Sequence, residues 1–262
     1  MVYAICLVLG LFCCPAFAMT SDQPAEELSL VGTVQEIPEE VALKMTGRSW
    51  KSDCPVPMSD LRYLSIPYWG FDDAFHTGHM IVHRVLAQRV VKAFAKMAKA
   101  HFPIECMKII DEFDANDDRS MEANNSSAFC SRGNTNRPGI FSVHSYGGAI
   151  DVNPKYNPWV KKRDDGSFSV SPESSRTYID RTQECKHFIT DSPDNVCFAA
   201  FTEAGFKWGG HWVSLKDYQH FEIILPEPLG FTEKDKDTPA YILAAFKMLE
   251  EQDTKEIAKK AQ

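Results

Sequence analysis

The pair Gly147-Gly148 constrains this chain more than any other feature. It follows His144 and precedes the apolar run Ala149-Ile150-Asp151-Val152, so the chain turns tightly there and leaves as a strand. A turn followed by a strand brings His144 and Asp151 to one point. A remote strand, His220-Phe221-Glu222-Ile223, alternates so that His220 and Glu222 share a face while Phe221 turns to the core. Two neutral imidazoles and a carboxylate are the donor set of a catalytic zinc, which takes three protein ligands and keeps one position open. Asp217 lies three residues before His220, on the turn into that strand. From there it reaches a water at such a centre and accepts its proton without ligating the metal. Each pattern alone is weak, because a single histidine beside a strand is more often packed or solvated. Their joint occurrence carries the reading.

The rest of the chain supplies a frame for that site. Apolar residues at helical spacing predict a helix over 85–101, ended by Phe102-Pro103. Further helices are expected over 39–45, over 195–204 with a stop at Gly205, and over 240–260. Residues 59–68, 75–83, 107–113, 148–152 and 220–225 read as extended. The polar stretch 114–139 reads as a loop, where functional residues concentrate. The expected fold class is α+β: a small antiparallel sheet carrying the zinc site, flanked by helices, in a single catalytic domain. Its organisation reads as a leader and linker over 19–58, the domain over 59–230, and a charged spacer with an amphipathic helix over 231–262.

The formal charge is −8, from 28 basic and 36 acidic side chains among 262 residues. An acidic protein gains little from counterion release, which argues against nucleic acid as a partner, and an anionic membrane surface is disfavoured for the same reason. Residues 1–18, MVYAICLVLGLFCCPAFA, are uncharged and apolar, and Ala16-Phe17-Ala18 puts small residues where a signal peptidase reads. They read as a signal peptide cleaved before Met19. The mature chain is therefore expected to be periplasmic or secreted, with no stable membrane insertion, and monomeric. Five cysteines remain after cleavage: Cys54, Cys106, Cys130, Cys185 and Cys197. Cys185 and Cys197 flank a short polar stretch and are a disulfide candidate, with two reduced thiols as the alternative. None of the five has CxxC spacing, so a cysteine zinc site is not supported.

Three segments, NNSSAFCSR, FSVHSYGGAID and KDYQHFE, together closely resemble the zinc D-alanyl-D-alanine carboxypeptidase family, over roughly 60–230. That family includes D-Ala-D-Ala dipeptidases and L-alanyl-D-glutamate endopeptidases. Its SxHxxGxAxD pattern is met by Ser142, His144, Gly147, Ala149 and Asp151, its DxxHFE ending by Asp217, His220, Phe221 and Glu222, and its SAF…R segment by Ser127, Ala128, Phe129 and Arg132. The resemblance implies a zinc peptidase acting on the peptidoglycan stem peptide. One Zn2+ would be held by His144, Asp151 and His220, with Asp217 as base and Arg132 polarising the scissile carbonyl. It implies D-Ala-D-Ala carboxypeptidase action first and L-alanyl-D-glutamate endopeptidase action as the alternative. A non-catalytic wall-binding module that keeps zinc for structure is the rival from another class, although a structural zinc is normally closed by a fourth protein ligand.

Around these residues the readings stay open. Glu222 either orients a ligand imidazole or makes a structural ion pair. Ser142 is a hydrogen-bonding residue of the ligand turn. Ser127 is a substrate-side candidate. Tyr146, Trp208 and Trp212 either line a groove or pack. His211 stands where relatives often carry a carboxylate; it either tunes the base or is a solvated loop residue. His76, His79 and His83 form a cluster in sequence, but on a strand His76 faces away from the other two.

Overall fold

In the computed structural model, residues 30–135 and 137–260 are described. The proposed signal peptide and its cleavage point lie outside the described residues.

The first half is organised by one hairpin. Strands β1 (Thr33–Gln35), β2 (Leu61–Gly70), β3 (Phe75–His83) and β4 (Pro103–Ile104) form a sheet, with β1 and β3 antiparallel to β2 and β4 parallel to it. The β2–β3 ladder runs from Leu61 opposite His83 to Trp69 opposite Phe75. Helices α1 (Glu39–Met45) and α2 (Ala87–Lys99) accompany it. Helix α2 buries Val90, Val91, Phe94, Met97 and Ala98 on one stripe, and Lys96 and Lys99 sit in its last turn, where cations suit the helix dipole.

The strand expected over 107–113 is not formed. Strand β5 (Cys106–Met107) pairs parallel with β6 (Asn125–Ser126), and Ile110–Phe113 is a 3-10 turn. Ile109, Ile110 and Asp111 are all buried in succession, which a two-residue alternation does not allow. The expected loop over 114–139 also carries order, as helix α3 (Asp117–Glu122) and the pair β7 (Gly133–Asn134) and β8 (Arg137–Phe141).

The second half contributes β9 (Ala149–Asp151), β10 (Trp159–Lys162), β11 (Phe168–Ser171), helix α4 (Val196–Glu203), β12 (Phe206–Trp208), β13 (Lys216–Asp217), β14 (His220–Ile223) and helix α5 (Pro239–Lys260). These strands make two small antiparallel sheets, one in the order β12–β14–β9 and one in the order β11–β10–β13. Phe201 of α4 joins the halves. It stacks on Phe221 of β14 at 4.6 Å and meets Phe94 of α2 edge-on at 5.4 Å.

The segment read as a linker is built into the domain from residue 33 onward, because β1 pairs with β2 and Met45 and Val56 are fully buried in the core. Helix α5 is likewise docked. It buries Ala245, Phe246 and Leu249, and Glu250 and Asp253 pair with Arg84 and Arg89. Among the described residues no helix is long and apolar enough to cross a membrane. All five described cysteines are free thiols. Cys185 and Cys197 are therefore not joined; Cys197 packs in the hydrophobic core from α4.

Candidate metal centre

The ligand turn is a 3-10 turn over Val143–Tyr146, capped by Ser142, whose hydroxyl accepts from the His144 N–H. Gly147 ends it with φ +66°, and a Cβ there would lie 2.5 Å from the His83 nitrogen. Only glycine fits that backbone and that approach. The chain then enters β9, where Asp151 is directly opposite His220 of β14.

The segment Ser127-Ala128-Phe129 sets this turn in place. Ser127 and Asp151 exchange backbone hydrogen bonds at 3.0 and 2.8 Å, and the Phe129 N–H reaches Ile81 of β3. His144 donates from Nδ1 to the Ala128 carbonyl at 2.6 Å, which leaves the Nε2 lone pair free to ligate. Arg132 is clamped to the same turn. Its N–H donates to Ser145 Oγ, and its carbonyl accepts from the Ser145 hydroxyl and the Ser142 N–H.

His144, Asp151 and His220 converge, all buried, as a group able to hold a metal ion. His144 Nε2 is 3.2 Å from His220 Nδ1 and 3.3 Å from an Asp151 oxygen, and His220 Nδ1 is 3.1 Å from the other Asp151 oxygen. Donor atoms about 2.0–2.1 Å from a tetrahedral zinc stand roughly 3.3 Å apart, so the three fit that ion. Glu222 fixes the second imidazole by accepting from His220 Nε2 at 3.2 Å, which leaves Nδ1 to ligate. It also pairs with Lys207 at 2.7 Å.

The electrostatics favour a cation. Burial works against charge on His220, but Asp151 and Glu222 outweigh it and push its pKa up to about 10. Burial likewise opposes ionisation of Asp151, yet His144 and His220 hold its carboxyl far below the usual range. The same potential that favours a proton here favours a divalent ion.

Asp217 comes from the neighbouring sheet, where it is opposite Trp159 of β10. Gly209 lets the strands close around it, since a Cβ there would lie 2.6 Å from the Asp217 carbonyl. Burial, first of all, raises Asp217 to about 7, and its Oδ1 is buried without a partner among the described residues. Arg132 pairs with Asp117 at 2.8 Å and leaves its Nε buried and, among the described residues, unpartnered. Burial opposes its charge, but Asp117, Asp151 and Asp217 outweigh that and hold its pKa above normal. A carboxylate and a guanidinium, each with an unpartnered buried atom among the described residues, thus line the cleft that holds the three donors.

The remaining sequence candidates separate. Trp212 and Ser142 line the cleft, and the Trp212 ring is 5.2 Å from that of His220. Tyr146 does not line it; it is 1% exposed and packs beneath the turn. Trp208 is also a core residue, its indole N–H donating to the Tyr218 carbonyl. Ser127 serves through its backbone, as above. His211 is exposed, pairs with Asp191 at 3.0 Å and does not face the cleft. Asp117, Asp118, Met121, Trp159 and Gln219 line the cleft and were not singled out from sequence.

A buried His-Asp-His centre with an adjacent carboxylate and guanidinium, on a small antiparallel sheet in an α+β domain, defines a metallopeptidase type of site. Residues 135–223 match the family model described as D-alanyl-D-alanine carboxypeptidase, and the match supports the zinc D-alanyl-D-alanine carboxypeptidase family for this chain. The matched span holds His144, Asp151, Asp217 and His220; Arg132 lies just before it. No curated protein and no solved structure matches the chain. The match and the three converging donors together support a metallopeptidase.

Proposed function

We propose that the protein is a periplasmic or secreted zinc peptidase that hydrolyses one peptide bond of the peptidoglycan stem, of D-alanyl-D-alanine carboxypeptidase type. The observation that carries the reading is the pair of unpartnered buried atoms, Asp217 Oδ1 and Arg132 Nε, in the cleft that holds the three metal donors. A zinc ion on His144, Asp151 and His220 would acidify a water and polarise the scissile carbonyl. Asp217 accepts the proton of the attacking water, from a buried position on the same cleft as the three donors. Arg132 donates to the oxyanion that develops, a contribution of roughly 3 kcal/mol for one well-aimed donor. Asp217 then returns its proton to the departing amine. Trp212 walls the site beside His220.

The charge of the cleft does not separate the carboxypeptidase from the endopeptidase alternative, because a D-glutamyl residue also keeps one carboxylate free. Among the described residues lining it, Arg132 is the sole arginine or lysine, and it is already paired with Asp117. A substrate's terminal carboxylate finds no second guanidinium or ammonium there. Digestion of purified muropeptides by the zinc-loaded protein, with and without chelator, tests both readings. Chelator-sensitive release of free D-Ala supports the carboxypeptidase, and L-Ala-terminated muramyl fragments support the endopeptidase. Zinc bound with no product from any muropeptide would leave the non-catalytic wall-binding module.

A further inference from the structure

The peptidase reading leaves one end of the cleft unused. Helix α3 directs Asp117, Asp118 and, one turn on, Met121 into it. Asp117 is engaged by Arg132. Asp118 is exposed and has no ion-pair or hydrogen-bond partner among the described residues. Facing this wall is Gln219, just before the His220 strand. It is 2% exposed, its carbonyl accepts from the Val152 N–H, and its Nε2 lies 3.6 Å from Met121 Sδ. Gln219 lines the cleft, and its side-chain oxygen is buried with no donor among the described residues. A buried amide oxygen left without a donor is costly, so its position is best understood with a donor supplied by ligand.

We propose that Asp118 and Gln219, beside Asp117, take a protonated primary amine of the peptide substrate. The inference rests on the peptidase reading but not on which bond is cut. Both free groups are acceptors and one carries charge, which is the complement of a compact ammonium with three donors. The wider field agrees. Five carboxylates line the cleft against one guanidinium, and a divalent ion at the metal centre leaves the sum negative. The amine has two possible sources, the side chain of a diamino acid in the stem or the free N-terminus of a stem already released from its sugar.

The test uses a synthetic stem pentapeptide with lysine at its third position, in four forms: both amines free, either one acetylated, and both acetylated. The zinc-loaded full chain is assayed for kcat and KM. Binding of the same four forms is measured on the zinc-loaded Asp217→Asn variant. We expect acetylation of one amine to weaken binding and raise KM about tenfold, the scale of one charge-assisted hydrogen bond. The acetylated position that matters identifies the source. The preference should shrink in high salt, and in Asp118→Asn the ratio between free and acetylated forms should fall towards one. Gln219→Leu should lower the same ratio, and should that variant fail to fold, the surface variant Asp118→Asn decides alone. Equal binding and KM for all four forms would overturn the inference, as would a preference that Asp118→Asn leaves intact. If no form is cut, the peptidase reading fails on its own, while the binding series still decides the amine site.

Discussion

The β2–β3 hairpin and the β9–β14 pair are both antiparallel ladders that bear histidines, and they use them in opposite ways. On β3, His76 contacts Asp72, His79 contacts Ser65 and stacks on Tyr63, and His83 stacks on Phe246 of α5. Among the described residues no two of them share one of these partners. On the short pair, the register sets Asp151 opposite His220, and the turn before β9 brings in His144. The shifts follow the neighbours. Burial lowers His83 to about 4, whereas carboxylates beside the equally buried His220 push it up to about 10. Strand histidines become a metal centre when register gives them a common carboxylate, and their number in the sequence says little.

The largest expected effect breaks the short pair. His220→Ala removes a donor and leaves Asp151 without its cross-strand partner, so zinc content should fall below one per chain and muropeptide hydrolysis should disappear with it. Metal analysis beside a turnover assay reads both, and full zinc retention would remove His220 from the donor set. Asp217→Ala separates metal from chemistry. It should keep zinc yet lower kcat by roughly 10²–10⁴-fold, the usual contribution of a general base. Glu222→Gln is milder, since it weakens only the group that orients His220. Competition with a chelator should show zinc affinity about 10–100-fold lower. The same assays on His79→Ala should show no change in zinc, which sharpens the contrast between the two ladders.

The sequence carries the long elements well and the site unevenly. Helix α2 falls within the span where apolar spacing puts it, because it buries one stripe against the core, and β3 and α1 have the bounds read from the sequence. The three donors were legible because a glycine turn and a strand register leave few alternatives. The groove was not. Tyr146 and Trp208 are aromatic beside the motif, but the tight turn and the Tyr218 carbonyl direct them into the core. Gln219 precedes β14, so alternation along that strand does not report where it points. Asp117 was hidden in a stretch read as a loop. Its local signal was Asn116, which caps α3 by accepting from the Arg119 N–H and starts the turn that sets Asp117 against Arg132.

His83 gives the smallest effect, one on stability that leaves the metal centre alone. Burial dominates its surroundings. Asp60 and Glu250 favour its charged form and Arg84 and Arg62 oppose it, and the net result is a pKa near 4 against 6.5 in the unfolded chain. The unfolded state therefore takes up the proton first. The contribution of neutral His83 is fully present above about pH 6.5 and is lost as pH falls towards 4. By pH 5 the loss is about 2 kcal/mol. Denaturant unfolding at pH 7 and pH 5 measures it. His83→Leu fills the same slot under Phe246 without a titrating group, so it should lose about 2 kcal/mol less than the wild type over that interval. Parallel losses in the two proteins would mean that His83 becomes charged without leaving the core, and that the carboxylates of Asp60 and Glu250 offset its burial after all.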